Sequence, residues 1–168
     1  GFIFVGGYFS PSFVTNETKG TIEYDDLFVL VTDEKLEDVQ QILPTLEAVS
    51  RDGRPLLIVA PEAEGQALAT LVVNAIRGTM KVAAIKAPGY GGERQKILED
   101  LSISVGGTFI SRGKGIKVSD VKLEHLGIAK RYVGDKYNST FIGGKGKQQD
   151  IDKRIESLRS ELAITDSM

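Results

Sequence analysis

Residues 64–78, EGQALATLVVNAIRG, carry more apolar surface than an ordinary surface helix needs. At about 100° per residue, Ala67, Leu68, Ala69, Leu71, Val72, Val73, Ala75 and Ile76 cover roughly two thirds of the circumference. Thr70, Asn74 and Arg77 make the polar strip. A soluble domain asks for an apolar stripe only a little over roughly 100° wide. The excess implies either a central core helix or a face left open to capture something apolar.

The rest of the pattern predicts a single α/β domain. Residues 8–14 are short and apolar-rich with Pro11 inside, as in an edge strand or extended loop. Residues 16–20 are turn chemistry. The continuous runs LFVLV at 27–31, PLLIVA at 55–60 and VAAI at 82–85 read as strands buried on both faces. A short helix is expected over 34–41. A second then starts near Pro44, whose missing N–H costs little in a first turn, and stops at Gly53. Gly91-Gly92 opens a helix over 93–104, with Ile97, Leu98 and Leu101 at helical spacing. Residues 108–110 form a short strand and 123–129 a short helix or turn. Residues 130–133 and 139–142 read as paired strands around a turn at 134–136, and 150–163 as an amphipathic helix through Ile151, Ile155, Leu158 and Leu162. Strand–helix alternation in the middle predicts parallel pairing, with antiparallel strands at the ends.

Composition narrows the function classes. The 168 residues are 41% hydrophobic, enough for a real core, and the net charge of −2 comes from interspersed charges. No basic stripe interleaved with aromatics points to nucleic acid. There is no cysteine, which removes disulfides, thiol chemistry and cysteine-ligated zinc and agrees with a reducing compartment. No apolar run approaches the roughly 18 residues of a membrane span. The start at Gly1-Phe2-Ile3-Phe4-Val5 shows no signal-peptide pattern and suggests a fragment of a longer chain.

Candidate chemistry is sparse. His125 stands beside a single Glu, Asp25-Asp26 and Asp33-Glu34 are acidic pairs without a metal-site partner, and Ser10 and Ser12 lack a nucleophile-elbow context. Pro88-Gly89-Tyr90-Gly91-Gly92-Glu93 follows a strand and opens a helix, the right place for an anion, but it lacks full G-x-G-x-x-G spacing. Gly143-Gly144-Lys145-Gly146-Lys147 is followed by Gln148, so the P-loop pattern fails and a solvated turn is expected.

Six collinear segments resemble the apical domain of group I chaperonins, the GroEL/Hsp60 family. They are GYFSP at 7–11, LPTLEAV at 43–49, RPLLI at 54–58, EGQALATLVVN at 64–74, VAAIKAPGYG at 82–91 and LGIAKR at 126–131. The resemblance covers nearly the whole chain from Gly7 onward; residues 1–6 match poorly and read as an extended N-terminal segment. It implies a β/β/α swivelling-type domain, a mixed sheet flanked by helices, two of which form an exposed apolar groove. It implies no catalytic, cofactor or metal site in residues 1–168, because ATP and magnesium belong to an equatorial domain with no counterpart here. The parent would be an ATP-hydrolysing ring, in a bacterial-type cytoplasm, a mitochondrial matrix or a plastid stroma, or of phage origin.

Family positions that bind non-native polypeptide and the mobile loop of the co-chaperonin carry over to Tyr8, Ser12 and Phe13 in the extended segment. They also carry over to Leu43 and Leu46 on the first groove helix, and to Leu68, Val72, Val73 and Asn74 on the second. Leu71 and Ala75 would face the sheet. Ser12 stands where an aromatic is usual, and Val5-Gly6 replaces an acidic–basic pair. Two other classes stay open: a phosphate-ligand enzyme domain using residues 88–93, and a scaffold domain with a buried helix at 67–76. Exposure of Leu43, Leu46, Leu68, Val72 and Val73 as one strip would single out the chaperonin reading. A last expectation concerns Phe2 to Val5, which either pair within their own sheet or lie as a ligand in a neighbour's groove.

Overall fold

The computed structural model describes residues 1–146 together with Ile155 and Glu156. The helix expected over 150–163 lies outside the described residues apart from those two. The centre of the fold is β2 (Ile22–Thr32), whose run from Leu27 to Thr32 is buried throughout. It pairs in parallel with β3 (Leu56–Ala60), and β3 in turn with β4 (Val82–Lys86). On its other side the first part of β2 pairs antiparallel with β6 (Gly127–Gly134), and its last residues pair in parallel with the short β5 (Phe109–Ile110). From β6 the sheet continues antiparallel through β7 (Asn138–Gly144) to β1 (Phe2–Val5). The order is β1-β7-β6-β2-β3-β4, a mixed sheet as the pattern predicts. No residue of β3 is exposed, which is why it reads as an unbroken apolar run.

Three α-helices flank the sheet among the described residues. Helices α1 (Val39–Asp52) and α2 (Gly65–Arg77) join β2 to β3 and β3 to β4. Helix α3 (Gly91–Val105) runs back from β4 to β5. Right-handed crossovers in opposite directions put α1 and α2 on one face and α3 on the other. Consistently, α1 touches α2, whereas α3 touches β2, β5, β6 and β7.

The N-terminal segment ties the two ends of the strand order together. Phe2 to Val5 pair with β7, and two residues on, the Lys86 N–H donates to the Gly7 carbonyl (2.8 Å) and the Phe9 N–H to that of Ala84 (3.0 Å). One continuous stretch thus spans from one edge strand to the other and nearly closes the sheet on itself. The crossing point is Gly6-Gly7. A Cβ on Gly6 would sit 2.1 Å from the Lys86 carbonyl oxygen, and one on Gly7 1.9 Å from that of Lys136. Below it, the Tyr132 hydroxyl donates to Ser139 Oγ (2.8 Å), which donates to the Gly6 carbonyl (2.7 Å). Phe2 to Val5 are therefore a strand of their own sheet.

The separate helix expected over 34–41 does not form. Glu34 is buried, its carboxylate held at 2.5 Å by Arg112 Nε and at 2.8 Å by the Val118 N–H. Leu36 pairs with Ala63 as an extended residue. The Gln41 side-chain oxygen accepts the N–H groups of Glu37 and Asp38 and so fixes the start of one continuous helix. Pro44 lies inside it, and the intrahelical bond it gives up falls on the exposed Gln40 carbonyl. Of the 123–129 segment, 123–125 form a 3-10 turn capped by Leu126, and 127–129 open β6.

Candidate functional site

Helix α2 divides lengthwise. Ala67 and Leu71 face the core and are buried; Leu68, Val72 and Ala75 pack against it half-buried. Val73 and Ile76 remain 44% and 68% exposed, although both are large β-branched side chains. Thr70 and Asn74 share the remaining side, where Asn74 Nδ2 donates to the Thr70 carbonyl (2.8 Å) and Thr79 Oγ1 to Asn74 Oδ1 (2.8 Å). The amide of Asn74 is thus committed to its own helix. Gly78, at φ +68°, ends the helix as the sequence pattern expects.

The neighbours of α2 lie on either side of it. Helix α1 is one, and the segment around the 3-10 turn Pro11–Phe13 is the other. Leu68, Val72 and Ile76 are four apart and so share one flank. Ile76 there borders an open cleft of about 570 Å³ with Tyr8, Pro11, Ser12 and Val14. On α1, Leu43 is 43% exposed.

Of the nine positions carried over from the resemblance, the structure exposes Leu43, Val73 and Ser12 and leaves Tyr8, Leu68, Val72 and Asn74 half-buried. Two are core. Leu46 is 5% exposed because it lies with Ile42 and Val49 on the inner face of α1. Phe13 is 1% exposed because the 3-10 turn, started by Pro11 and held by the Ser12 N–H to Ser10 Oγ (3.1 Å), tucks its ring inward. The five-residue exposed strip therefore does not form as such. The exposed aliphatics are instead Val73 and Ile76 on α2 and Leu43 on the neighbouring α1. Ile76, the most exposed of these aliphatics, is absent from the carried-over set, yet its spacing from Val72 was the signal for it.

The other candidate groups are accounted for structurally. His125 Nδ1 accepts the Lys122 N–H (2.9 Å) and closes a 3-10 turn. Asp33 accepts from Ser111 (2.8 Å), and Asp25 pairs with Arg131 (2.8 Å). Among the described residues no group of three or more acidic or histidine side chains could hold a metal ion, and no helix is long and apolar enough to cross a membrane. In the 88–93 turn, Gly89 and Gly91 take positive φ and an Arg94 terminal nitrogen donates to the Gly89 carbonyl. Gly143 and Gly144 end β7 rather than a free turn, with Gly144 and Lys145 exposed, and the backbone here runs close to α3: a Cβ on Gly144 would lie 2.2 Å from the Ser104 and one on Gly146 2.0 Å from the Ile103 carbonyl oxygen. No family model matches the chain.

Around the start of α2 the charges are paired. Lys35 lies 2.8, 3.5 and 4.0 Å from carboxylates of Glu64, Glu62 and Glu37. Its hydrogen bond to Glu64 and the nearby acidic charges raise its pKa. This end of the helix is a polar boundary to the apolar surface beyond it.

Proposed function

We propose that this chain is the polypeptide-binding module of a group I chaperonin, holding non-native polypeptide and, in turn, the mobile loop of a co-chaperonin. In this reading the fold is a swivelling β/β/α domain, and the parent subunit assembles into an ATP-driven ring whose nucleotide chemistry lies elsewhere. The observation that carries it is the set of uncovered aliphatics, Leu43, Val73 and Ile76, on two adjacent helices. Half-buried Leu68 and Val72 and the Tyr8–Val14 segment adjoin them.

Such a surface attracts by apolar area, without directional bonds, so it accepts any chain exposing Leu, Val or Phe. A single domain binds modestly because a flexible ligand loses entropy on ordering. A ring of them raises the effective concentration and holds one chain at several points.

The test is capture of an unfolded client, followed by suppression of its aggregation and by anisotropy of a labelled extended peptide. Val73→Glu should weaken peptide binding at least tenfold, because each complex then loses apolar contact and desolvates a carboxylate. Melting should change by less than about 0.5 kcal/mol, as for an exposed site. Unchanged capture in Val73→Glu and Ile76→Glu together would overturn the reading.

A further inference from the structure

The cleft below Ile76 has a rim that the fold clamps at both ends. Tyr8, Pro11, Ser12 and Val14 border the opening, and the span from Tyr8 to Ser12 lies between two fixed points. Downstream the fixed point is Phe13, whose ring is core. Upstream it is Gly6-Gly7, where the backbone runs so close to the Lys86 and Lys136 carbonyls that no Cβ fits. Two hydrogen bonds to β4 then hold Gly7 and Phe9, on either side of Tyr8.

The upstream clamp rests on a buried polar chain. Ser139 and Tyr132 are both fully buried, and Ser139 Oγ accepts from Tyr132 (2.8 Å) and donates to the Gly6 carbonyl (2.7 Å). The Tyr132 hydroxyl lies over Gly134, where a Cβ would stand 2.0 Å from it. The Tyr132 ring is set against Phe141 with centroids 4.9 Å apart, and Phe141 stacks on Phe4 of β1. Two hydroxyls buried here add little net stability, because an apolar pair of the same shape is nearly neutral. What a fully satisfied buried chain does give is one fixed geometry. Here it fixes a backbone oxygen two residues before Tyr8.

We propose that Ser139 is a positioning residue for the polypeptide held on α2: through Gly6 it sets where Tyr8 and Pro11 stand against Ile76. Being fully buried, Ser139 does not itself touch the polypeptide. The proposal rests on the binding function argued above. Without the Ser139 hydroxyl the Gly6 carbonyl loses its partner and the rim samples several positions, so a bound chain must order it again.

The experiment measures anisotropy of a fluorescein-labelled extended peptide of Leu, Val, Ser and Gly with wild type, Ser139→Ala and Ile110→Ala. Ile110 is buried in β5, which β2 and β3 separate from β4, so its truncation destabilises the domain without reaching the rim. Ser139→Ala should weaken binding about three- to tenfold, the ordering of one rim side chain. Ile110→Ala should bind as wild type does. Amide hydrogen exchange reads the rim itself. In Ser139→Ala the Phe9 and Lys86 amides should exchange at least about fivefold faster relative to those of β3 than in wild type, and in Ile110→Ala that ratio should not change. Should Ser139→Ala not fold, Ser139→Cys, with a similar volume and a poor donor, is measured in its place. Wild-type affinity in the Ser139 variant, or an equal loss in Ile110→Ala, overturns the positioning role and leaves the α2 surface standing. A wild type that binds no peptide overturns the binding function, and this role with it.

Discussion

Gly7→Ala is the sharpest probe of how the sheet is held closed. The added Cβ would meet the Lys136 carbonyl oxygen at 1.9 Å and its carbon at 2.1 Å, both backbone atoms. No rotamer relieves such an overlap, so either the 134–137 turn or the 6–9 segment must move by more than an ångström. If the N-terminal segment gives way, three hydrogen bonds are strained together. They are Lys86 N–H to Gly7 and Phe9 N–H to Ala84, which together make the Tyr8–Ile85 bridge, and Ser139 Oγ to Gly6. At about 1 kcal/mol each the loss is about 3 kcal/mol, a large part of the usual 5–15 kcal/mol of a domain. For a chain of this size that lowers Tm by roughly 6–12 °C. Urea denaturation followed by circular dichroism measures it directly. Two controls share the glycine-to-alanine chemistry without the contact. Gly78→Ala has nothing within 4 Å but φ +68°, and should cost only about 1 kcal/mol of backbone strain. Gly92→Ala, in the first turn of α3 with open space around it, should stabilise by about 0.4–1 kcal/mol. A Gly7→Ala loss no greater than that of Gly78→Ala would refute the closure argument.

Leu46→Ala and Phe13→Ala should each destabilise by about 2–5 kcal/mol in the same denaturation assay, because both side chains are core; losses below about 1 kcal/mol would return them to the binding surface. Calorimetric titration with ATP and magnesium should show no micromolar site, and finding one would revive residues 88–93 as a phosphate cradle. Stability should fall at alkaline pH. Burial raises the pKa of both Tyr24 and Tyr132 above the ordinary value near 10, so their contribution is complete below that value and is lost as pH rises toward the folded-state pKa. Between pH 10 and 11 the two together should cost about 2 kcal/mol, and Tyr24→Phe should remove about half of that slope. An unchanged slope in Tyr24→Phe would place the alkaline loss elsewhere.

The parts of the fold that were legible in the chain are those whose burial leaves a local pattern. Residues 27–31, 56–60 and 82–85 are covered on both faces, so every position is apolar and no partner need be known to find the strand. The β6–β7 pair and the start of α3 are punctuated by their own glycines. What could not be read depends on partners far along the chain. The extended path of residues 33–38 is set by Ser111, Arg112 and Val118, some 78 to 84 residues on. The tight packing of Gly6-Gly7 against residues 86 and 136 is equally invisible locally. In the candidate site, periodicity showed that α2 has surplus apolar surface but not which arc stays open. Leu46 and Leu43 are three residues apart on one helix, and only the position of the sheet makes one core and the other exposed.

The exposed arc has a cost that folding alone does not justify. Val73 and Ile76 are β-branched and lose side-chain freedom in a helix, a penalty of roughly 0.3–0.6 kcal/mol each against alanine. With 44% and 68% of their surface in water they return only part of it through burial. Helix α2 does not need them: Ala67 and Leu71 sit fully in the core, with Leu68, Val72 and Ala75 packed beside them. Elsewhere on the same helix the sequence shows what an exposed position holds when solubility decides, with Gln66 and Arg77 on the surface. Leu43 on α1 carries no such helix penalty, but it too is an exposed aliphatic, between exposed Gln40 and Glu47. In the proposed function these exposed aliphatics, of which Ile76 borders an open cleft, are the surface that a bound polypeptide meets. An apolar partner that comes and goes fits this arrangement, because a permanent one would reward a broader and flatter face than a single helix presents.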